Sequence, residues 1–201
     1  VLVDLARWAV RRRPWMAVRL LLFLWVYLAA ETAGLVALLA LWLAAGFGRR
    51  EAWMAGWTWR FQQVWAGWQF RAVRGLFGLR LEVEGREVLR PAPVIVLIRH
   101  ASIVDNLLPS VIVAREARIR LRYVLKRELL SDPCLDVAGK RLPNAFIRRG
   151  TGAEAERGLI RRLAAGLGPD DGVLIYPEGT RFTAERRTAG IAKVAERDRA
   201  R

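Results

Sequence analysis

The residues best suited to chemistry lie in the sequence PVIVLIRHASIVDNLL, residues 93–108. His100 is the only histidine among 201 residues, and Asp105 comes five positions later. Because the unperturbed pKa of histidine is about 6.5, a neutral ring nitrogen can accept a proton near pH 7. A carboxylate bound to the other ring nitrogen would fix the tautomer and stabilise the imidazolium that forms. The pair therefore predicts a general base and an acid that orients it.

Asp105 also has a structural interpretation. Ser102 and Asp105 fit a capping box, although aspartate is a short side chain for the bond back to the serine N–H. The two roles are compatible. A His-x4-Asp spacing arises often by chance, but this histidine is unique, ends a buried-looking strand and has no competing G-x-S-x-G serine elbow. These features favour catalysis.

Alternating strands and helices must position these residues. Apolar or alternating runs predict strands at residues 81–84, 94–98, 119–125 and 172–176, and helices are predicted at residues 107–117, 153–167 and 183–196. This order is typical of an α/β domain with a mainly parallel, mixed sheet flanked by helices. In such sheets the chemistry collects beyond the carboxyl ends of strands. Both His100 and the polar segment at residues 178–181 occupy that position.

The first 50 residues predict a membrane segment. Residues 20–47 contain one charged residue, Glu31, and arginines flank this stretch on both sides. A single transmembrane helix would be about 42 Å long against roughly 30 Å of hydrocarbon, with Glu31 near the midplane. A break at residues 31–34 would instead give a re-entrant hairpin, which we favour.

Residues 51–78 predict a Trp- and Arg-rich interfacial helix. Apolar residues recur at spacings of three and four and share one helical face: Trp53, Trp57, Phe61, Val64 and Trp68. Tryptophan beside arginine is typical of a helix in the lipid headgroup layer. The alternative is a helix packed on the protein core, which Trp59 and Phe70 support because they leave that face.

The net charge indicates the class of partner, and the cysteine content indicates the compartment. A formal net charge of +15 favours an anionic partner. Nucleic acid is the least favoured, because the aromatic residues and arginines adjoin an apolar segment. The single cysteine, Cys134, excludes an internal disulfide or multi-cysteine metal site and fits a buried thiol in a reducing compartment. We predict no metal site, and we expect a fragment, since the chain begins at Val1 and stops within a charged run.

Three sequence blocks together identify a family. HASIVD at residues 100–105, AFIRR at 145–149 and EGTR at 178–181 occur in the order and separation of the glycerolipid acyltransferases. The chain most resembles the 1-acylglycerol-3-phosphate acyltransferase family, over roughly residues 81–193. It departs from the pattern at Pro143 and Arg148, where the family usually has glycine and an acidic residue. The family's fourth, proline-containing block is missing, so we expect residues 79–201 to be a C-terminally truncated acyltransferase domain.

The resemblance implies an enzyme that moves a fatty acyl group from acyl-CoA or acyl-ACP to the free hydroxyl of lysophosphatidic acid. No cofactor is implied beyond the acyl thioester co-substrate. His100 and Asp105 would be catalytic. The implied acceptor-binding residues are Arg149, Glu178, Gly179, Thr180 and Arg181, because guanidinium groups bind phosphate with paired hydrogen bonds. The implied location is an anionic membrane, at the cytoplasmic face of the cell membrane.

Two alternatives stay open. The chain could be a remodelling acyltransferase for another lysophospholipid or an amino-lipid. It could also be a non-catalytic membrane-binding module, in which the charge and the tryptophans serve attachment alone. Replacement of His100 by alanine distinguishes a membrane-binding module from an enzyme, because a module would keep its full membrane binding without the histidine.

Overall fold

The computed structural model describes residues 3, 15–90, 92–99, 102–147, 153–177 and 183–199. Its centre is a four-stranded sheet in the order β1-β4-β2-β3, and every neighbouring pair is parallel. The strands are β1 (Val94–Leu97), β2 (Arg120–Lys126), β3 (Ala145–Ile147) and β4 (Asp171–Ile175). The expected α/β class is confirmed, with a wholly parallel sheet in the described residues instead of a mixed one.

Helices connect the strands and precede them. The α-helices are α1 (Met16–Ala44), α2 (Glu51–Phe77), α3 (Pro133–Arg141), α4 (Ala153–Ala164) and α5 (Ala184–Arg199). A π-helix spans Pro109–Glu116, and short 3-10 helices span Arg86–Leu89, Ile103–Asn106 and Arg127–Ser131. The helices predicted at residues 107–117, 153–167 and 183–196 are thus present, the first as a π-helix.

The two faces of the sheet carry separate cores. On one face the π-helix residues Val113 and Ala114 pack with Leu121 and Leu174. Ser110 and Tyr123 are also buried there, and their hydroxyl oxygens lie 3.0 Å apart in a hydrogen bond. On the other face Leu163 of α4 packs with strand residues in a second cluster. β4 is covered on both faces, which explains its continuous apolar run. β1 is covered on one face only, because Ile95 is 66% and Leu97 64% exposed, so the expectation of a strand buried on both faces is wrong for β1.

The strand predicted at residues 81–84 is wrong. Leu81 and Glu82 are exposed, and the segment has no regular secondary structure. Alternation produces a strand only where the segment pairs with a neighbouring strand, and residues 81–84 pair with no strand of the described sheet. The chain instead turns through Gly78 and Gly85, both at φ +67°, a conformation that glycine adopts without strain.

Asp171 organises the amino-terminal edge of the sheet. Its carboxylate contacts the guanidinium groups of Arg120 at 2.9 Å and Arg122 at 3.1 Å, and accepts from the N–H of Gly168 at 2.9 Å. Burial alone would raise the pKa of this carboxyl, but these donors outweigh burial and hold the pKa below its usual value. Arg122 also donates to three carbonyls at the end of α4, including Leu163 O at 3.0 Å.

α1 is one continuous helix of 29 residues. The break expected at residues 31–34 is therefore absent, and the re-entrant hairpin with a break there is wrong. Within the described residues α1 is the one helix long and apolar enough to cross a membrane, judged by length and composition. Most of its side chains are exposed, among them Trp25 at 69%.

Polar contacts attach α1 to α3 and explain why Glu31 needs no break. Glu31 Oε2 accepts from the Cys134 N–H at 3.1 Å, and the Cys134 thiol donates to the Glu31 carbonyl at 3.3 Å. Tyr27 donates to Asp132 at 2.8 Å, and Arg141 donates to the Leu38 carbonyl at 3.0 Å. Both ends of α3 are thereby fixed on one face of α1. The prediction that Cys134 is a buried thiol is confirmed, since its exposure is 1%.

α2 folds back on α1 and also packs on the π-helix. Phe23 near the start of α1 meets Phe77 at the end of α2, with ring centroids 6.1 Å apart, so the two helices are antiparallel. Gln63 donates to the Ala114 carbonyl of the π-helix at 3.4 Å. The predicted apolar face is exposed except at Phe61, which turns inward and stacks on Trp65. One side of α2 therefore packs on the rest of the protein, and the predicted apolar face is largely exposed; its place in the lipid headgroup layer stays a prediction.

Candidate active site

The carboxyl ends of β1 and β4 lie side by side. Leu97 is paired with Ile175 in the parallel register, and the N–H of Ile98 donates to the Ile175 carbonyl at 3.1 Å. His100 follows Leu97 by three positions, and Glu178 follows Ile175 by the same number. The segments HASIVD and EGTR therefore leave the sheet from adjacent strands at the same edge.

β3 ends at this edge as well, because it pairs in parallel with β2. It stands three strand positions from β1, which corresponds to about 14 Å at the usual strand spacing. Arg149 follows the end of β3 by two positions. The three sequence blocks are thus carried by strands that point toward one edge.

Asp105 is the one predicted site residue that the structure describes. The others lie outside the described residues: His100, Arg149, Glu178, Gly179, Thr180 and Arg181. Their roles, and the catalytic role of Asp105, stay predictions.

The capping box predicted around Asp105 is confirmed. The Ser102 N–H donates to Asp105 Oδ2 at 2.5 Å, and the Val104 N–H donates to Ser102 Oγ at 3.3 Å. The box caps a 3-10 helix, Ile103–Asn106, whose tight turn brings the short aspartate within reach. The cap fixes the direction of the Asp105 side chain.

Tyr176 links the two blocks that β1 and β4 carry. It directly follows β4, and its hydroxyl donates to the backbone carbonyl of Asp105 at 3.2 Å. Burial raises the pKa of this tyrosine, and the nearby Tyr123 and Asp105 raise it further, so the hydroxyl remains a donor at neutral pH. Sequence reasoning missed this contact. The available signal was a tyrosine at the end of a buried strand, whose polar tip needs a partner.

Comparison with known proteins gives a family for the part of the chain that contains the sheet. A family model described as Acyltransferase matches residues 80–197, which is more than half of the chain and includes all four strands. Searches of curated proteins and of solved structures gave no match.

Proposed function

The chain belongs to the acyltransferase family, and we propose that it transfers a fatty acyl group from acyl-CoA or acyl-ACP to lysophosphatidic acid, forming phosphatidic acid. One observation carries this proposal. The parallel pairing of Leu97 with Ile175 directs the His-x4-Asp block and the EGTR block to the same edge of the sheet. A base and an anion-binding segment at one edge suit an acceptor that has both a hydroxyl and a phosphate.

The proposed reaction needs no protein nucleophile. His100 accepts the proton of the acceptor hydroxyl, and Asp105 orients the imidazole and stabilises its charged form. The acceptor oxygen attacks the thioester carbonyl carbon, and the C–S bond of the resulting tetrahedral intermediate breaks. The imidazolium returns its proton to the departing thiolate. The products are the ester and the free thiol of the carrier.

The arginines supply the preference for a phosphorylated acceptor. Arg181 in EGTR and Arg149 after β3 each offer a planar guanidinium that can donate two hydrogen bonds to phosphate oxygens. Glu178 organises the segment, while Gly179 and Thr180 bring backbone N–H groups close to the phosphate. A lysophospholipid held in this way presents its free hydroxyl to His100.

We further propose that α1 lies along the membrane surface instead of crossing the bilayer. α3 covers one face of α1 between Tyr27 and Leu38, the middle of the helix. A spanning α1 would bring α3 and its Asp136–Lys140 ion pair into the hydrocarbon layer. Placing each charged side chain there costs about 2.5–3.5 kcal/mol. An in-plane helix buries its exposed apolar face in one leaflet and keeps α3 outside.

α2 supplies the headgroup contacts of this arrangement. Trp53, Trp57 and Trp68 are each roughly 40% exposed on the side away from the core. The Arg60 guanidinium lies 4.7 Å from the ring centroid of Trp57, so charge and ring are presented together. The anionic partner is the cytoplasmic face of the cell membrane, which fits the unpaired Cys134 and the positive net charge.

An acyl-transfer assay on vesicles tests the function. The full chain is given lysophosphatidate with either acyl-CoA or acyl-ACP, and other lysophospholipids compete as acceptors. We expect His100→Ala to lower kcat by about 10²- to 10⁴-fold. Asn106→Ala, an exposed change in the neighbouring 3-10 helix, is the control and should keep the parental rate. Equal turnover by the His100→Ala variant would reject catalysis by this residue and favour the membrane-binding module.

Cysteine labelling tests the in-plane position of α1. Arg19→Cys and Arg49→Cys mark the two ends of the apolar segment, and the buried Cys134 adds little background. An in-plane helix on preformed vesicles exposes both new thiols to a membrane-impermeant maleimide. A spanning helix protects one of them until detergent is added, and that result would contradict the proposal.

A further inference from the structure

We propose that Tyr176 is a positioning residue for Asp105, holding its backbone so that the carboxylate meets the imidazole of His100. The inference rests on the proposed function, which gives Asp105 the task of orienting the base. Tyr176 is a positioning residue in this scheme and not a catalytic one. It acts through the Asp105 carbonyl, which accepts the tyrosine hydroxyl at 3.2 Å.

Asp105 is fixed at two points by different parts of the chain. Ser102, three residues away, fixes the carboxylate through a local bond to Oδ2. Tyr176, 71 residues away, fixes the main chain. The local bond sets where the carboxylate points relative to its own turn. The distant bond sets where that turn stands relative to the sheet.

Tyr176 is well anchored for this task. Its ring packs against the buried cluster that contains Leu121 and Leu174, and it continues directly from β4. β4 is hydrogen-bonded to β1 on one side and to β2 on the other. The packing of the ring and the paired strand together restrain the position of this hydroxyl. The 3-10 helix Ile103–Asn106, in contrast, is a single short turn.

The contact also joins the two chemical parts of the site. Tyr176 immediately precedes the segment containing Glu178 and Arg181, and Asp105 closes the His-x4-Asp block. This hydrogen bond therefore links the position of Asp105 to the end of β4, which leads into the proposed phosphate-binding segment. Because proton transfer depends on near-attack geometry, a small displacement of the turn lowers kcat more than it changes acceptor binding.

Tyr176→Phe in the full chain tests the proposal, because it removes only the hydroxyl. We expect kcat with lysophosphatidate to fall roughly fivefold, the weight of one neutral hydrogen bond, with KM unchanged. The acid limb of the pH profile of kcat/KM should move about half a unit lower, since a displaced carboxylate raises the imidazole pKa less. If this hydrogen bond contributed only to stability, Tyr176→Phe would neither lower kcat at constant KM nor shift the pH profile.

Tyr123→Phe is the matched control. It removes the same atom from a buried tyrosine on the same face of the sheet, where the hydroxyl bonds Ser110 and not Asp105. This variant should lose thermal stability but keep the parental kcat and pH profile. Parental kinetics for Tyr176→Phe, or an equal displacement of the profile by Tyr123→Phe, would overturn the inference. If His100→Ala is inactive while Tyr176→Phe is normal, the positioning role alone fails, whereas an active His100→Ala variant defeats the proposed function.

Discussion

The Glu31 carboxylate accepts a hydrogen bond from the backbone N–H of Cys134 at 3.1 Å, across 103 residues of sequence. The acceptor lies in an apolar helix, and the donor lies in the first turn of α3. The amino end of a helix carries unsatisfied N–H groups and a partial positive charge, so a carboxylate is well suited to it. The acidic residue of the apolar segment therefore serves as a connection between α1 and the α/β domain.

Glu31→Leu should loosen that connection. The Cys134 N–H would lose its acceptor in a buried place, which costs about 1–3 kcal/mol. Thermal unfolding in detergent measures the loss. Glu51→Leu, at an exposed position in the first turn of α2, removes the same charge without a buried partner. A similar loss of stability for both variants would contradict a specific role for Glu31.

Gly34→Ala should also weaken the packing of α1 on α3. A Cβ at this position would lie 2.6 Å from the Cys134 sulfur, and the resulting overpacking costs about 1–3 kcal/mol. Cys134→Ala in the same chain removes the clashing atom and should restore part of the stability. Gly56→Ala is the control, because nothing lies within 4 Å of its Cβ, and it should stabilise α2 by about 0.5–1 kcal/mol. Chemical denaturation compares the three variants.

Asp105→Asn separates the proposed catalytic role of Asp105 from its observed role in the capping box. The amide oxygen can still accept from the Ser102 N–H, so the fold should keep its stability while the charge that supports the imidazolium is lost. We expect kcat to fall by about 10²- to 10⁴-fold. Ser102→Ala does the reverse, since it removes the side-chain cap at a cost of about 1 kcal/mol and leaves the carboxylate. Normal turnover by Asp105→Asn would reduce this residue to a helix cap.

Asp171→Asn should destabilise the sheet in a pH-dependent way. Loss of its partly buried ion pair with Arg122 should lower the free energy of unfolding by about 3 kcal/mol at neutral pH. Because the folded pKa of Asp171 lies below its usual value, the contribution is complete above the unfolded pKa of about 4 and disappears as the pH falls through the folded pKa. Urea midpoints of parent and variant should therefore converge in acid.

Asp170→Asn provides the comparison for that experiment. Asp170 pairs with Arg90 at 2.8 Å, but both side chains are exposed. Loss of this ion pair should lower the free energy of unfolding by less than about 1 kcal/mol at any pH. A pH-independent difference between the parent and Asp171→Asn would mean that the buried carboxylate does not supply the effect.

The sequence pattern locates the strands that carry the site better than it locates the rest of the fold. β1 and β4 were predictable from short apolar runs, and β2 from the alternation of Leu121, Tyr123 and Leu125. β3 was missed because three residues give no periodicity. α3 was missed although Asp132 and Pro133 form an N-cap and first-turn signal, since its apolar face is short.

Long-range contacts explain what the sequence left open. Nothing near Glu31 in the sequence indicates that its partner is Cys134, and an acid without a known partner in an apolar segment predicts a helix break. The alternation at residues 81–84 likewise lacks the information that no strand edge receives it. At the site, Ser102 and Asp105 were predictable because their contact is local. The Tyr176 contact was not, because it depends on the alignment of β4 with the turn after β1.

The attachment of Glu31 to Cys134 also orders events during synthesis. The ribosome completes α1 long before residue 134 is translated, so the new helix emerges with its carboxylate unmatched. A carboxylate without a partner is costly inside the hydrocarbon layer, so it opposes deep insertion of a nascent helix into a bilayer. Once Cys134 emerges, the acid gains its donor and α1 becomes attached to the α/β domain. The order of translation thus favours the in-plane position that we propose for α1.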